Sequence, residues 1–143
     1  MIVATQNPIE QEGTYRLPEA QLDRFFFKLN VDYPTLDEEV MILERASERK
    51  DRMSVEAIEP VLGADELERA RDLVRQVRCD EKLVRYIASI VDRTRHDGAL
   101  MLGASPRASL AILLASRAHA AIGGRDFVTP EDVQEVTKHV LRH

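Results

Sequence analysis

Ser105-Pro106-Arg107-Ala108-Ser109-Leu110-Ala111-Ile112-Leu113-Leu114-Ala115-Ser116-Arg117-Ala118-His119-Ala120-Ala121-Ile122-Gly123-Gly124 reads as one long helix with both ends marked. A serine at the N-cap accepts from the unpaired N–H groups of a first turn, and proline just inside it lacks the N–H that such a turn leaves unused. Leu110, Leu113, Leu114, Ala118 and Ala121 form the expected inner stripe, and the glycine pair supplies a helix stop. The same punctuation repeats on either side. Thr129-Pro130-Glu131-Asp132 opens a last helix with Val133, Val136 and Val140 inward. Upstream, Asp80 caps a helix whose inner face is Leu83, Ile87, Ile90 and Val91, and Leu67, Ala70, Val74 and Val77 mark another. Thr35, with Glu38 three residues on, forms a capping box ahead of Leu36, Val40 and Leu43. Residues 34–143 are therefore expected to be a bundle of about five helices.

Residues 1–33 have a different character. Met1 to Val3 is a short apolar run ending in Thr5-Gln6-Asn7-Pro8, as a buried parallel strand ends at a catalytic edge. Phe25, Phe27, Leu29 and Val31 alternate with polar or outward residues as a second strand, and Tyr33-Pro34 marks the boundary. The fold expected is mainly α: a helical bundle preceded by a short α/β fragment with strands Met1–Thr5 and Phe25–Val31. Two such strands with open edges are not stable alone in water. The Phe25 and Phe27 face is therefore expected either to pair with a second copy in a non-native dimer or to fold onto the helices.

Composition narrows the function classes. At 143 residues and 44% hydrophobic, the chain can build one ordinary core. A net charge of -5 disfavours a nucleic-acid partner. No apolar run approaches the ~20 residues that span a bilayer, so no membrane partner is expected. The one cysteine, Cys79, cannot make an internal disulfide, which fits a reducing, cytoplasmic compartment. His96, His119, His139 and His143 lack metal-ligand spacing and read as surface or helix-face residues. Glu10 and Glu12 read as a solvated turn near Gly13, and Glu131 and Asp132 as acids satisfied by a helix dipole.

Three residues carry a sharper chemistry. The Asn7 amide, at a strand end, can hold a water in line with a phosphate without adding charge, although Asn before Pro also forms simple turns. Arg24 is anchored by the phenylalanines that follow it and can present a rigid guanidinium to a phosphate, or pair with Asp23 or Glu19. Arg107 lies in the first turn of the long helix, where the dipole disfavours a cation by ~0.3–1 kcal/mol. That placement makes sense if an anion binds there, supported by free N–H groups of the same turn; the alternative is a solvated arginine reaching Asp97.

Read together, Ala4-Thr5-Gln6-Asn7-Pro8 through Leu17-Pro18-Glu19-Ala20-Gln21-Leu22-Asp23-Arg24-Phe25, Gly103 to Ala108, and Gly124 to Val133 resemble the MoxR family of AAA+ proteins. Arg16 departs from the pattern, since the family more often has proline there. The resemblance implies that residues 1–33 are the end of an ATPase core and 34–143 its helical lid. It makes Asn7 the sensor of the attacking water, Arg24 an arginine finger acting in trans, and Arg107 a second sensor on the ATP phosphates. ATP and Mg would serve the intact protein, a homo-oligomeric ring, expected as a hexamer. Its work would be chaperone-like: maturing or activating partner proteins, including metal cofactor insertion. The chain has no GxxxxGK[ST] segment and no strand ending in paired acids, so alone it is expected not to hydrolyse ATP. The competing reading is a non-enzymatic helical adaptor that binds a partner through Leu100-Met101-Leu102.

Overall fold

Six helices follow one another in the computed structural model, which describes residues 2–6, 18–48 and 58–142. They are α1 (Glu19–Leu22), α2 (Leu36–Glu48), α3 (Ala64–Gln76), α4 (Glu81–His96), α5 (Pro106–Ile122) and α6 (Pro130–Val140). The first is a single turn; of the five expected in the bundle, α3 to α6 pack together.

The chain-local stop and start signals act as read. Thr35 and Glu38 close their box in both directions: Thr35 N–H donates to Glu38 Oε2 at 2.8 Å, and Glu38 N–H to Thr35 Oγ1 at 3.4 Å. Asp80 accepts from Lys82 N–H at 2.8 Å, and Ser105 from Arg107 N–H at 3.1 Å. At the far end of α5, Gly124 takes φ +71, a left-handed backbone that glycine reaches without steric cost. The Gly124 N–H then donates to Ala121 C=O, and the Arg125 N–H to Ala120 C=O, which satisfies the last carbonyls of α5.

The helix α5 is the centre of the packing, against α6, α4 and α3. Its buried face is Ala108, Ile112, Ala115, Ser116 and Ala120. The stripe expected there was Leu110, Leu113, Leu114, Ala118 and Ala121, of which Leu110 and Leu114 are exposed. Because α5 is apolar nearly all round, sequence spacing does not single out one face. The neighbouring helices bury the face whose small alanines let backbones approach closely. Ile87 and Val91 of α4 and Val133, Val136 and Val140 of α6 complete the core as expected. The α3–α4 and α5–α6 connections are tied together: Arg78 N–H donates to Asp126 C=O and Val128 N–H to Arg78 C=O, both at 2.9 Å. By contrast, α2 is exposed along its described length, Leu36, Val40 and Leu43 included.

The two expected strands are absent among the described residues: 2–6 and 25–31 carry no ladder. A strand needs a neighbour to satisfy its backbone, and none is present among those residues. The second segment finds other partners. Lys28 N–H donates to His139 C=O at 3.1 Å, and the Phe27 ring meets the His139 ring edge to face at 6.4 Å. These contacts bring part of the phenylalanine run to the helices, while Phe27, Leu29 and Val31 stay exposed.

Candidate functional site

The start of α5 is held by its neighbours before any functional side chain is considered. Gly103 lies so close to α4 that an added Cβ would sit 2.5 Å from Arg95 Cα. That approach lets Arg95 Nε donate to Ala104 C=O and Ala104 N–H to Thr94 Oγ1, both at 2.9 Å. Ser105, next in the chain, is thereby fixed in space.

Its hydroxyl then does two things. It accepts from Arg107 N–H, and it donates its proton, shared between the two carboxylate oxygens of Asp23 at 2.8 and 3.0 Å. Ala108 N–H is also used, by Ser105 C=O at 3.0 Å. The free N–H cradle expected to support a phosphate beside Arg107 is therefore largely filled from within the chain. What remains for an anion is the Arg107 side chain.

Asp23 brings Arg24 with it. An open groove of about 200 Å³, mainly apolar in its surface, is lined by Asp23, Arg24 and Arg107 together with Phe25, Leu110 and Leu114. Among the residues whose side chains are described, which do not include Glu19, Arg24 and Arg107 make no ion pair. Asp23 is engaged by Ser105, and the Asp97 carboxylate accepts from Ala99 N–H at 3.0 Å. Of the groups on this lining, the Arg24 and Arg107 side chains are the ones suited to an anion, since a guanidinium offers several donors in a planar fork. Asn7 lies outside the described residues.

A second polar cluster escaped sequence reading. Asp132, at the start of α6, is 1% exposed. Arg125 grips it with two bonds of 2.6 Å, His119 Nδ1 lies 2.6 Å from Oδ1, and Thr129 N–H donates to Oδ2 at 2.8 Å. The Arg125 guanidinium above all, against the cost of burial and with help from His119 and Thr129, holds the carboxyl far below the usual range. So Asp132 is more than a dipole charge, and His119 more than a helix-face histidine. The acid at the third helical position after Thr129 was visible; Arg125 and His119 reach it only through the fold. This cluster sits at the other end of α5 from Arg107, ~18 Å away at 1.5 Å per residue, and is separate from the groove.

Among the described residues no group of three or more His, Cys, Asp or Glu side chains could hold a metal ion. Cys79 is free and half-buried, and burial pushes its thiol up. No described helix is long and apolar enough to cross a membrane.

Comparison with known proteins gives two family matches and several relatives. Residues 1–27 match the model of the ATPase family associated with various cellular activities (AAA), and residues 92–143 that of the AAA lid domain. The chain is 42% identical to the uncharacterised Bacillus subtilis protein YeaC, over 99% of this chain and 43% of that protein. It is 41% identical to the chaperone MoxR1 of Mycobacterium tuberculosis, over 100% of this chain and 39% of that protein. Among solved structures, a candidate ATPase from Cytophaga hutchinsonii superimposes with a TM-score of 0.83 at 32% identity, over 95% of this chain and 43% of that one. The chain thus spans about two fifths of the length of the relatives it matches.

Proposed function

The chain belongs to the MoxR-type AAA+ proteins, and from that premise we propose that its groove receives the nucleotide phosphates of a neighbouring subunit in an ATP-driven ring. The observation that carries this reading is the placement of Arg24 and Arg107 on one open groove. In this reading residues 1–33 end an ATPase core and 34–143 are its lid. Arg24 is the finger, meeting charge that develops on the transferred phosphoryl group, a contribution of ~10³–10⁵ in rate in such enzymes. Arg107 reads the same phosphates from the lid, so nucleotide state and lid position are linked through one side chain. Asn7 orients the attacking water.

The sequence has no phosphate loop, and Asp23 is the one acid in the groove's described lining, so in this reading the residues that hold ATP and Mg are supplied elsewhere in the assembly. Turnover belongs to the ring, a hexamer in this proposal, working in the cytoplasm. One relative is named as a chaperone, which supports a chaperone-like task on partner proteins, with metal cofactor insertion as one form of it.

The test is Arg24→Ala in the intact ring: ATP binding stays near wild type while turnover falls. Adding subunits that keep Arg24 but have a dead nucleotide site should restore activity. If mixed rings recover none, Arg24 does not act across the boundary. Arg107→Ala should leave lid position insensitive to nucleotide; equal movement in wild type and variant removes that assignment. The adaptor reading draws on Met101, 96% exposed between Leu100 and Leu102. It predicts an assembly indifferent to ATP.

A further inference from the structure

From the hydrogen bonds around Ser105 we infer that Asp23 is a positioning residue, which fastens the Arg24 segment to the start of α5 so that Arg24 and Arg107 move as one unit. The inference rests on the proposed role of Arg24. It begins with a chain of donors: Arg107 N–H to Ser105 Oγ at 3.1 Å, and the Ser105 hydroxyl to the Asp23 carboxylate at 2.8 and 3.0 Å. Each bond polarises the next, and the chain ends on an anion, which makes the last bond charge-assisted. The carboxylate also lies by the N-terminus of a 17-residue helix, where negative charge is favoured.

The segment has a second fastening. Five residues after Asp23, Lys28 N–H donates to His139 C=O on α6, beside the Phe27–His139 ring contact. Arg24 is therefore carried on a short stretch pinned at one end to α5 and at the other to α6. A finger on such a stretch follows the lid helices. Displacement of the lid carries both arginines together toward or away from the phosphates, and this synchrony depends on Asp23, since Asp23 is adjacent to Arg24 in the chain.

Two measurements test this. In the 143-residue chain, amide hydrogen exchange of residues 21–28 should rise by roughly tenfold or more in Asp23→Ala, the loss of one charge-assisted bond, with α6 unchanged. Ser105→Thr, which keeps the hydroxyl, should retain wild-type protection. In the intact ring, Asp23→Ala should lower kcat by roughly 10²-fold, the effect of a ~1 Å misplacement, with KM for ATP unchanged. Asp23→Ala/Ser105→Ala should be no worse in kcat than the worse single variant. Ser105→Ala also removes the α5 cap, so Asp23→Ala carries the decision. Wild-type exchange in Asp23→Ala overturns the clamp. Raised exchange with unchanged kcat overturns the positioning role. An Arg24→Ala ring run in parallel separates the two proposals: if it is dead while Asp23→Ala is fully active, only this inference falls, and if Arg24→Ala keeps full turnover the finger reading falls with it.

Discussion

Replacing Asp132 should be among the most damaging single changes in the bundle, and the reason can be worked from its contacts. The side chain is 1% exposed and accepts two bonds from Arg125, one from Thr129 N–H and one from Thr129 Oγ1, with His119 Nδ1 at 2.6 Å. Breaking a buried pair by removing one partner costs ~3–5 kcal/mol. The Arg125 side chain is 31% exposed and that of His119 46%, so both regain some water and the upper end is not reached. The bond to Thr129 N–H, about 1 kcal/mol of capping, is counted within that range. Asp132→Ala should therefore cost about 3 kcal/mol, against the ~4–13 kcal/mol that ~0.05–0.15 kcal/mol per residue gives for residues 58–142. Urea unfolding followed by far-UV circular dichroism would show a midpoint lower by ~1.5–3 M at an m of ~1–2 kcal/mol/M, with m unchanged.

The same carboxyl sets a pH dependence. Its folded pKa is depressed, chiefly by Arg125, so its contribution is complete above the unfolded value of ~3.9 and drains away as the pH falls from about 5 toward the folded value. Over that range the unfolded chain binds a proton that the folded chain refuses. Asp132→Asn should lack this acid slope. A loss below about 1 kcal/mol in Asp132→Ala, together with an unchanged acid slope in Asp132→Asn, would refute the argument.

Two further outcomes are expected. Gly103→Ala sets a methyl 2.5 Å from the Arg95 Cα, which cannot move aside as a side chain tip could; the strain of ~1–3 kcal/mol should lower Tm by several degrees in calorimetry, and an unchanged Tm would mean that the loop shifts without cost. Deleting residues 1–33 should leave a folded helical domain, since every buried core residue among those described lies between Val77 and Val140; loss of the helical circular dichroism signal on deletion would refute this.

The sequence alone fixed where the helices begin and end. Thr35 with Glu38, Asp80, Ser105-Pro106 and Gly123-Gly124 satisfy backbone groups within a turn of themselves, so their effect is decided by residues that are neighbours in the chain. The inner faces of α4 and α6 were legible for a similar reason, because each has one apolar stripe. On α5 that rule had nothing to choose between, and packing against α3, α4 and α6 buried the alanine-rich face instead of the leucines. The alternation from Phe25 to Val31 is apolar in sequence, yet Phe27, Leu29 and Val31 stay exposed, because a strand needs a ladder partner, which no local pattern contains. Arg24 and Arg107 were picked out separately as residues. Only the tertiary structure set them on one groove, because the bond that joins their segments, Ser105 to Asp23, spans 82 positions. The grip of Arg125 and His119 on Asp132 was hidden likewise: α6 must fold back on α5 before those charges can meet, and only burial makes their meeting strong.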